Sequence, residues 1–189
     1  MTEEALLAFL KKRVGLLDGV CITGGEPTLY GDLAPLLRQI KALGYLVKLD
    51  TNGSSPEVLK ALAGEGLVDY VAMDVKNCSR LYGTTVGVEK LALTPVEESL
   101  RFLISGDVDY ELRTTVVAQL HDRRSMEEMG QWLSSLVSGR RPERLFLQCF
   151  RDGENVLTAD LQSPTAEELT EYQKILTPYI GYVGLRGIT

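Results

Sequence analysis

The residues of this 189-residue chain best suited to chemistry stand at intervals rather than in one cluster. Glu26 lies in Ile22-Thr23-Gly24-Gly25-Glu26-Pro27-Thr28-Leu29, directly after an apolar run at 16–22. Asp50-Thr51-Asn52-Gly53 follows, then Asp74 and Lys76, then Arg113, and last Gln148 and Arg151. The paired glycines let backbone amides and carbonyls approach a small molecule with no Cβ in the way. Pro27 has no N–H and biases Glu26 away from helix, so the carboxylate is presented rather than wound into a turn. A short buried strand running into such a turn describes a small-molecule site.

The elements that must position these groups alternate along the chain. Apolar spacing predicts helices over 2–12, 32–43, 55–63, 94–104, 126–137 and 165–176, with Gly44 a C-terminal stop and Pro95 in a first turn. Strand patterns fall at 17–23, 45–50, 67–75, 108–117, 144–150 and near 182–185. Repeated strand–helix units with near-continuous apolar strands predict one domain, a parallel sheet covered by helices. Periodicity leaves open a doubly wound sheet or a barrel-like curved one. In either, ligands bind at the C-terminal ends of the strands, where five successive strands here deliver polar groups. Each group also has a plainer explanation. The plainer, less favoured reading makes Asp50 and Asp74 capping or turn residues; for Arg113 the plainer role is a structural partner of either aspartate, and for Lys76 a solvated loop lysine. Glu26 has the weakest such alternative.

Composition narrows the classes. A hydrophobic content of 44% with 24% charged residues is globular, and no apolar stretch approaches membrane-spanning length. The acidic start, Met1-Thr2-Glu3-Glu4, is no signal peptide, so a cytoplasmic protein is expected. The net charge of −6 argues against nucleic acid or an anionic membrane as the main partner. Cys21, Cys78 and Cys149 are too scattered for a disulfide framework or a Cys-x-x-Cys metal site and are expected to be small buried or half-buried hydrophobes. The lone histidine, His121, sits beside Asp122, Arg123 and Arg124 and is expected in a surface loop.

Taken together, Thr23-Gly24-Gly25-Glu26-Pro27, Leu49-Asp50-Thr51-Asn52-Gly53, Met73-Asp74-Val75-Lys76 and Arg113-Thr114-Thr115-Val116-Val117 resemble the radical S-adenosylmethionine superfamily. They are most similar to its activating enzymes for glycyl-radical proteins, of the anaerobic ribonucleoside-triphosphate reductase and pyruvate formate-lyase types. The resemblance implies a partial (β/α)6 TIM-like barrel with S-adenosylmethionine across its top. It implies that Gly24, Gly25, Glu26 and Pro27 hold the methionyl amino group. Asp50 and Asn52 join that wall, and Asp74 shares the amino site or, with Asp50 and Thr51, a monovalent cation. Lys76 faces the methionyl carboxylate, Arg113 supplies forked hydrogen bonds, and Arg151 contacts the cofactor. In the complete family member a [4Fe-4S] cluster cleaves the sulfonium, and the resulting 5′-deoxyadenosyl radical abstracts hydrogen from a backbone glycine.

One part of the pattern is not in this sequence. The family holds its cluster through Cys-x-x-x-Cys-x-x-Cys in a loop after its first strand, and Cys21, Cys78 and Cys149 cannot rebuild it. The expectation is a radical S-adenosylmethionine core over 1–189 truncated by its first strand, without the cluster loop and inactive alone. It would bind no [4Fe-4S] cluster and would bare the strand at 17–23 to self-association. The partner implied is a glycyl-radical enzyme, foremost an anaerobic ribonucleotide reductase. Two alternatives stand beside this: a non-catalytic remnant that binds a cofactor or partner, and a non-redox barrel enzyme using Glu26, Asp50 and Asp74 for a divalent metal.

Overall fold

The computed structural model describes residues 2–88, 90–106, 108–153 and 160–188. Six parallel strands lie side by side in chain order: β1 (Gly19–Ile22), β2 (Leu46–Thr51), β3 (Tyr70–Asp74), β4 (Asp109–Val116), β5 (Arg144–Cys149) and β6 (Tyr182–Arg186). Parallel crossovers are right-handed, so strands added always in one direction place their connecting helices on one face. α1 (Glu3–Lys11) precedes β1, and the connecting helices are α2 (Leu33–Ala42), α3 (Pro56–Gly64), the short α4 (Tyr82–Thr85), α5 (Thr94–Ser105), α6 (Arg123–Ser135) and α7 (Ala166–Leu176). A strand order without reversal is the barrel arrangement and not the doubly wound one. β1 and β6 are the two edges, so the barrel is partial and open.

Burial alternates along β2 and β5, which corrects the expectation of near-continuous apolar runs there, whereas β3 is buried continuously from Val71 to Met73 and β4 from Tyr110 to Leu112. Leu49, Val71, Met73, Leu112, Leu145 and Leu147 face the helices and are fully buried against Leu37, Ile40, Leu59, Leu100, Leu103, Met129 and Leu169. The residues between them point the other way, and strand register aligns them across the sheet: Cys21 with Lys48, Lys48 with Tyr70, Asp74 with Arg113, Arg113 with Phe146, and Gln148 with Arg186. A parallel sheet covered on one face only leaves a concave polar wall, the lumen of the open barrel.

β1 departs from the expected buried strand. Its residues alternate between exposed and half-buried, and the preceding Leu16 and Leu17 are 78% and 42% exposed, Leu16 in a turn and Leu17 in an isolated bridge to Val14. Helix starts follow their caps. Thr165 and Glu168 form a capping box at α7, and Asp122 with Ser125 does the same at α6, which starts at Arg123, ahead of the apolar pattern that begins at Met126. Among the described residues no helix is long and apolar enough to cross a membrane.

Candidate functional site

The glycine turn after β1 is tied to the end of β2 by a single carboxylate. Glu26 Oε1 accepts hydrogen bonds from Thr28 N at 3.1 Å, Thr28 Oγ1 at 2.6 Å and Thr51 Oγ1 at 2.7 Å, while Oε2 accepts from Asn52 N at 2.6 Å. Thr51 Oγ1 also accepts from Gly53 N, and Asn52 Oδ1 from Ser54 N, so both turns are internally braced. Glu26 caps the short 3-10 helix Pro27–Leu29, whose first residue is the buried Pro27. Its carboxylate therefore works first as a clamp between two turns. Gly24 and Gly25 adopt φ of 102° and 57°, and an added Cβ on either would meet nothing within 4 Å. Their exposed backbone groups form an open shelf at the rim. Gly53 is different: its φ of 74° favours glycine, and an added Cβ would press on the end of the buried Met73 side chain, which would have to shift.

Across the lumen wall runs a ladder of alternating charge. Lys48 Nζ donates to Asp50 Oδ1, Arg113 Nη1 donates to Asp50 Oδ2 at 3.1 Å, Arg113 Nε donates to Asp74 Oδ1 at 3.1 Å, and Lys76 Nζ donates to Asp74 Oδ2 at 2.8 Å. Arg113 on β4 reaches Asp50 on β2 because the β3 residue in register with Asp50 is the small Ala72. Burial raises the Asp50 carboxyl, yet hydrogen bonding and charge from Lys48 and Arg113 outweigh it and hold the group below its ordinary value. Burial likewise works against the charged form of Arg113, and the two aspartates reverse the effect.

His121 is buried at 3% exposure, not on a surface loop. Its Nδ1 accepts from Val117 N at 3.1 Å, which leaves Nε2–H to donate to Lys76 O at 2.9 Å. The neutral ring thus fixes the backbone at Lys76, and burial depresses its pKa. The signal for this role is not local, since Lys76 is distant in sequence.

The structure brings Asp50, Asp74, Lys76 and Arg113 together and sets the turn of Gly24, Gly25, Glu26, Pro27 and Asn52 beside them. Arg151 is exposed beyond β5, near Gly187, and makes no hydrogen bond to this ladder among the described residues. Arg113 bridges the two carboxylates where the resemblance places a monovalent cation, and the Thr51 hydroxyl is committed to Glu26. Among the described residues no group of three or more His, Cys, Asp or Glu converges as a metal site. The cysteines do not fit a three-thiolate cluster. Cys21 is exposed on the lumen side of β1, contrary to the buried expectation, Cys78 is buried with its Sγ donating to Glu128, and Cys149 is half-buried on β5. Lys48, Glu111, Phe146 and Arg186 also line the lumen and were not singled out from sequence. Their signal was present as every-second-residue polarity within the strands.

The open parallel barrel and its braced glycine rim define a class, and comparison with known proteins names it: residues 1–123 match the radical SAM superfamily, and the chain belongs to it. Members of that superfamily use S-adenosylmethionine and a [4Fe-4S] cluster. A protein of Methanocaldococcus jannaschii named as a glycyl-radical enzyme activating enzyme is 32% identical over 177 residues, 90% of this chain and 71% of its own length. A 7-carboxy-7-deazaguanine synthase of Thermococcus kodakarensis is 32% identical over 141 residues, 74% of this chain and 52% of that protein. Streptococcus suis SuiB bound to S-adenosylmethionine superposes with a TM-score of 0.74 at 13% identity, over 99% of this chain and 44% of SuiB, a likeness of fold. The chain thus spans about half the length of some relatives and more of others.

Proposed function

We propose that the lumen rim of this chain binds S-adenosylmethionine and that the chain is the core of a glycyl-radical-enzyme activating protein, with an anaerobic ribonucleotide reductase as its foremost partner. The observation that carries this is the Lys48–Asp50–Arg113–Asp74–Lys76 ladder beside the open shelf of Gly24 and Gly25. An amino acid carries an ammonium and a carboxylate. The shelf carbonyls suit the first, and Lys76, 37% exposed with donors to spare, suits the second. S-adenosylmethionine with its cluster supplies one-electron chemistry ending in hydrogen abstraction; the residues of this chain bind and orient. The non-redox metal alternative loses support because Glu26 is taken up by Thr28, Thr51 and Asn52, and the two aspartates by Arg113 and the lysines.

Calorimetric titration of S-adenosylmethionine tests the first half. Binding by the wild type that weakens about tenfold or more in Lys76→Met, with melting unchanged, supports it; equal affinity refutes it. Sedimentation with an anaerobic ribonucleotide reductase tests the second, and the absence of any complex would remove that partner.

A further inference from the structure

Beyond the rim, the lumen holds a second built arrangement. Phe146 on β5 packs against Gly184 on β6, where an added Cβ would fall 2.6 Å from its Cδ1 and Cε1 atoms and displace the ring. Tyr182 supports it edge-on, with centroids 5.9 Å apart. The Arg186 guanidinium carbon stands 3.5 Å from the centroid of Phe146. Its two terminal nitrogens donate to Glu111, Nη1 to Oε1 at 2.9 Å and Nη2 to Oε2 at 2.7 Å, and Tyr70 OH donates to Oε2 at 3.3 Å.

The energetics decide what Arg186 can offer a ligand. Glu111 is only 5% exposed, so releasing Arg186 would leave a buried carboxylate without its charge partner. The fork is therefore committed, and Arg186 cannot turn to clasp a carboxylate or phosphate. Its side chain is nevertheless 40% exposed. What remains available is a flat, delocalised face, backed by one aromatic ring and held in plane by two hydrogen bonds. Such a face stacks on planar π systems.

We propose that Arg186, backed by Phe146 and fixed by Glu111, is a stacking platform for a planar heteroaromatic ring of a small-molecule ligand in the lumen. It adjoins Arg113, the register neighbour of Phe146, and so lies next to the proposed cofactor ladder. This inference goes beyond the activase proposal, in which the lumen receives a peptide, and its test uses no glycyl-radical partner.

Saturation-transfer NMR and calorimetry with guanosine, against the non-planar dihydrouridine, read the platform. Wild type should bind guanosine and ignore dihydrouridine. Arg186→Lys keeps a charge for Glu111 and loses the plane, and Phe146→Leu removes the backing ring; each should weaken guanosine about tenfold with melting retained. S-adenosylmethionine affinity should not change in either. No guanosine binding by wild type, or equal binding by Arg186→Lys, overturns the proposal. A parallel loss of S-adenosylmethionine binding assigns the face to that molecule's adenine and also overturns it, as does binding of a tyrosine-containing peptide in place of guanosine.

Discussion

Replacing Arg113 with methionine keeps most of the side-chain volume and removes the cation between two carboxylates. Arg113 and Asp50 are each 16% exposed at the side chain, and Asp74 is 33% exposed. Breaking a well-buried pair costs about 3–5 kcal/mol. Here Lys48 and Lys76 remain to hold one aspartate each, and solvent screens Asp74, so the expected loss is about 2 kcal/mol. For a chain of this length that is a fall in melting temperature of about 4–8 °C. The pH dependence has a definite sign. Asp50 is held below its unfolded value, so its stabilisation is present above that value and is lost as pH falls through the native pKa. The difference between wild type and Arg113→Met should be full at pH 6–8 and should shrink below about pH 4. Urea denaturation across that range, with the Arg113→Met/Asp74→Asn cycle, measures it. An Arg113→Met protein as stable as wild type at neutral pH would falsify the account of the ladder.

Three further outcomes follow from the same geometry. Glu26→Gln turns one acceptor into a donor facing donors, so it should cost about 1–3 kcal/mol in urea denaturation and loosen both turns; a neutral change would show that the clamp is unimportant. Gly53→Ala forces a Cβ into Met73 at positive φ and should destabilise by more than 1 kcal/mol, roughly; calorimetric melting at or above the wild-type temperature would contradict this. His121 has a native pKa below its unfolded one, so stability should fall as pH drops through about 6.5, and His121→Gln should flatten that slope; an unchanged slope assigns it to other groups.

Much of the site was legible because parallel strands deliver their functional groups at one end. Glu26, Asp50, Asp74, Lys76 and Arg113 could be placed there from strand–helix alternation alone. The partners they meet were not legible. Lys48 and Ala72 matter through register, which sequence does not state, and Glu111 meets Arg186 across an intervening strand. His121 looked like surface because its neighbours are charged, yet its ring closes on a carbonyl 45 residues away. The alternation within β2 and β5 was visible but was read as continuous burial, which concealed that one face of the sheet is a polar wall. Cys21 follows from the same error, since an edge strand exposes a residue that a central one would bury.

The central claim is that the glycine shelf and the charge ladder together bind S-adenosylmethionine. The most direct measurement is a proton–nitrogen correlation spectrum of the labelled protein titrated with that ligand. The account predicts saturable shifts at the amides of Gly24, Gly25 and Lys76, with carboxyl-carbon shifts at Asp50 and Asp74. Saturation of the ligand with all five positions unmoved would contradict it.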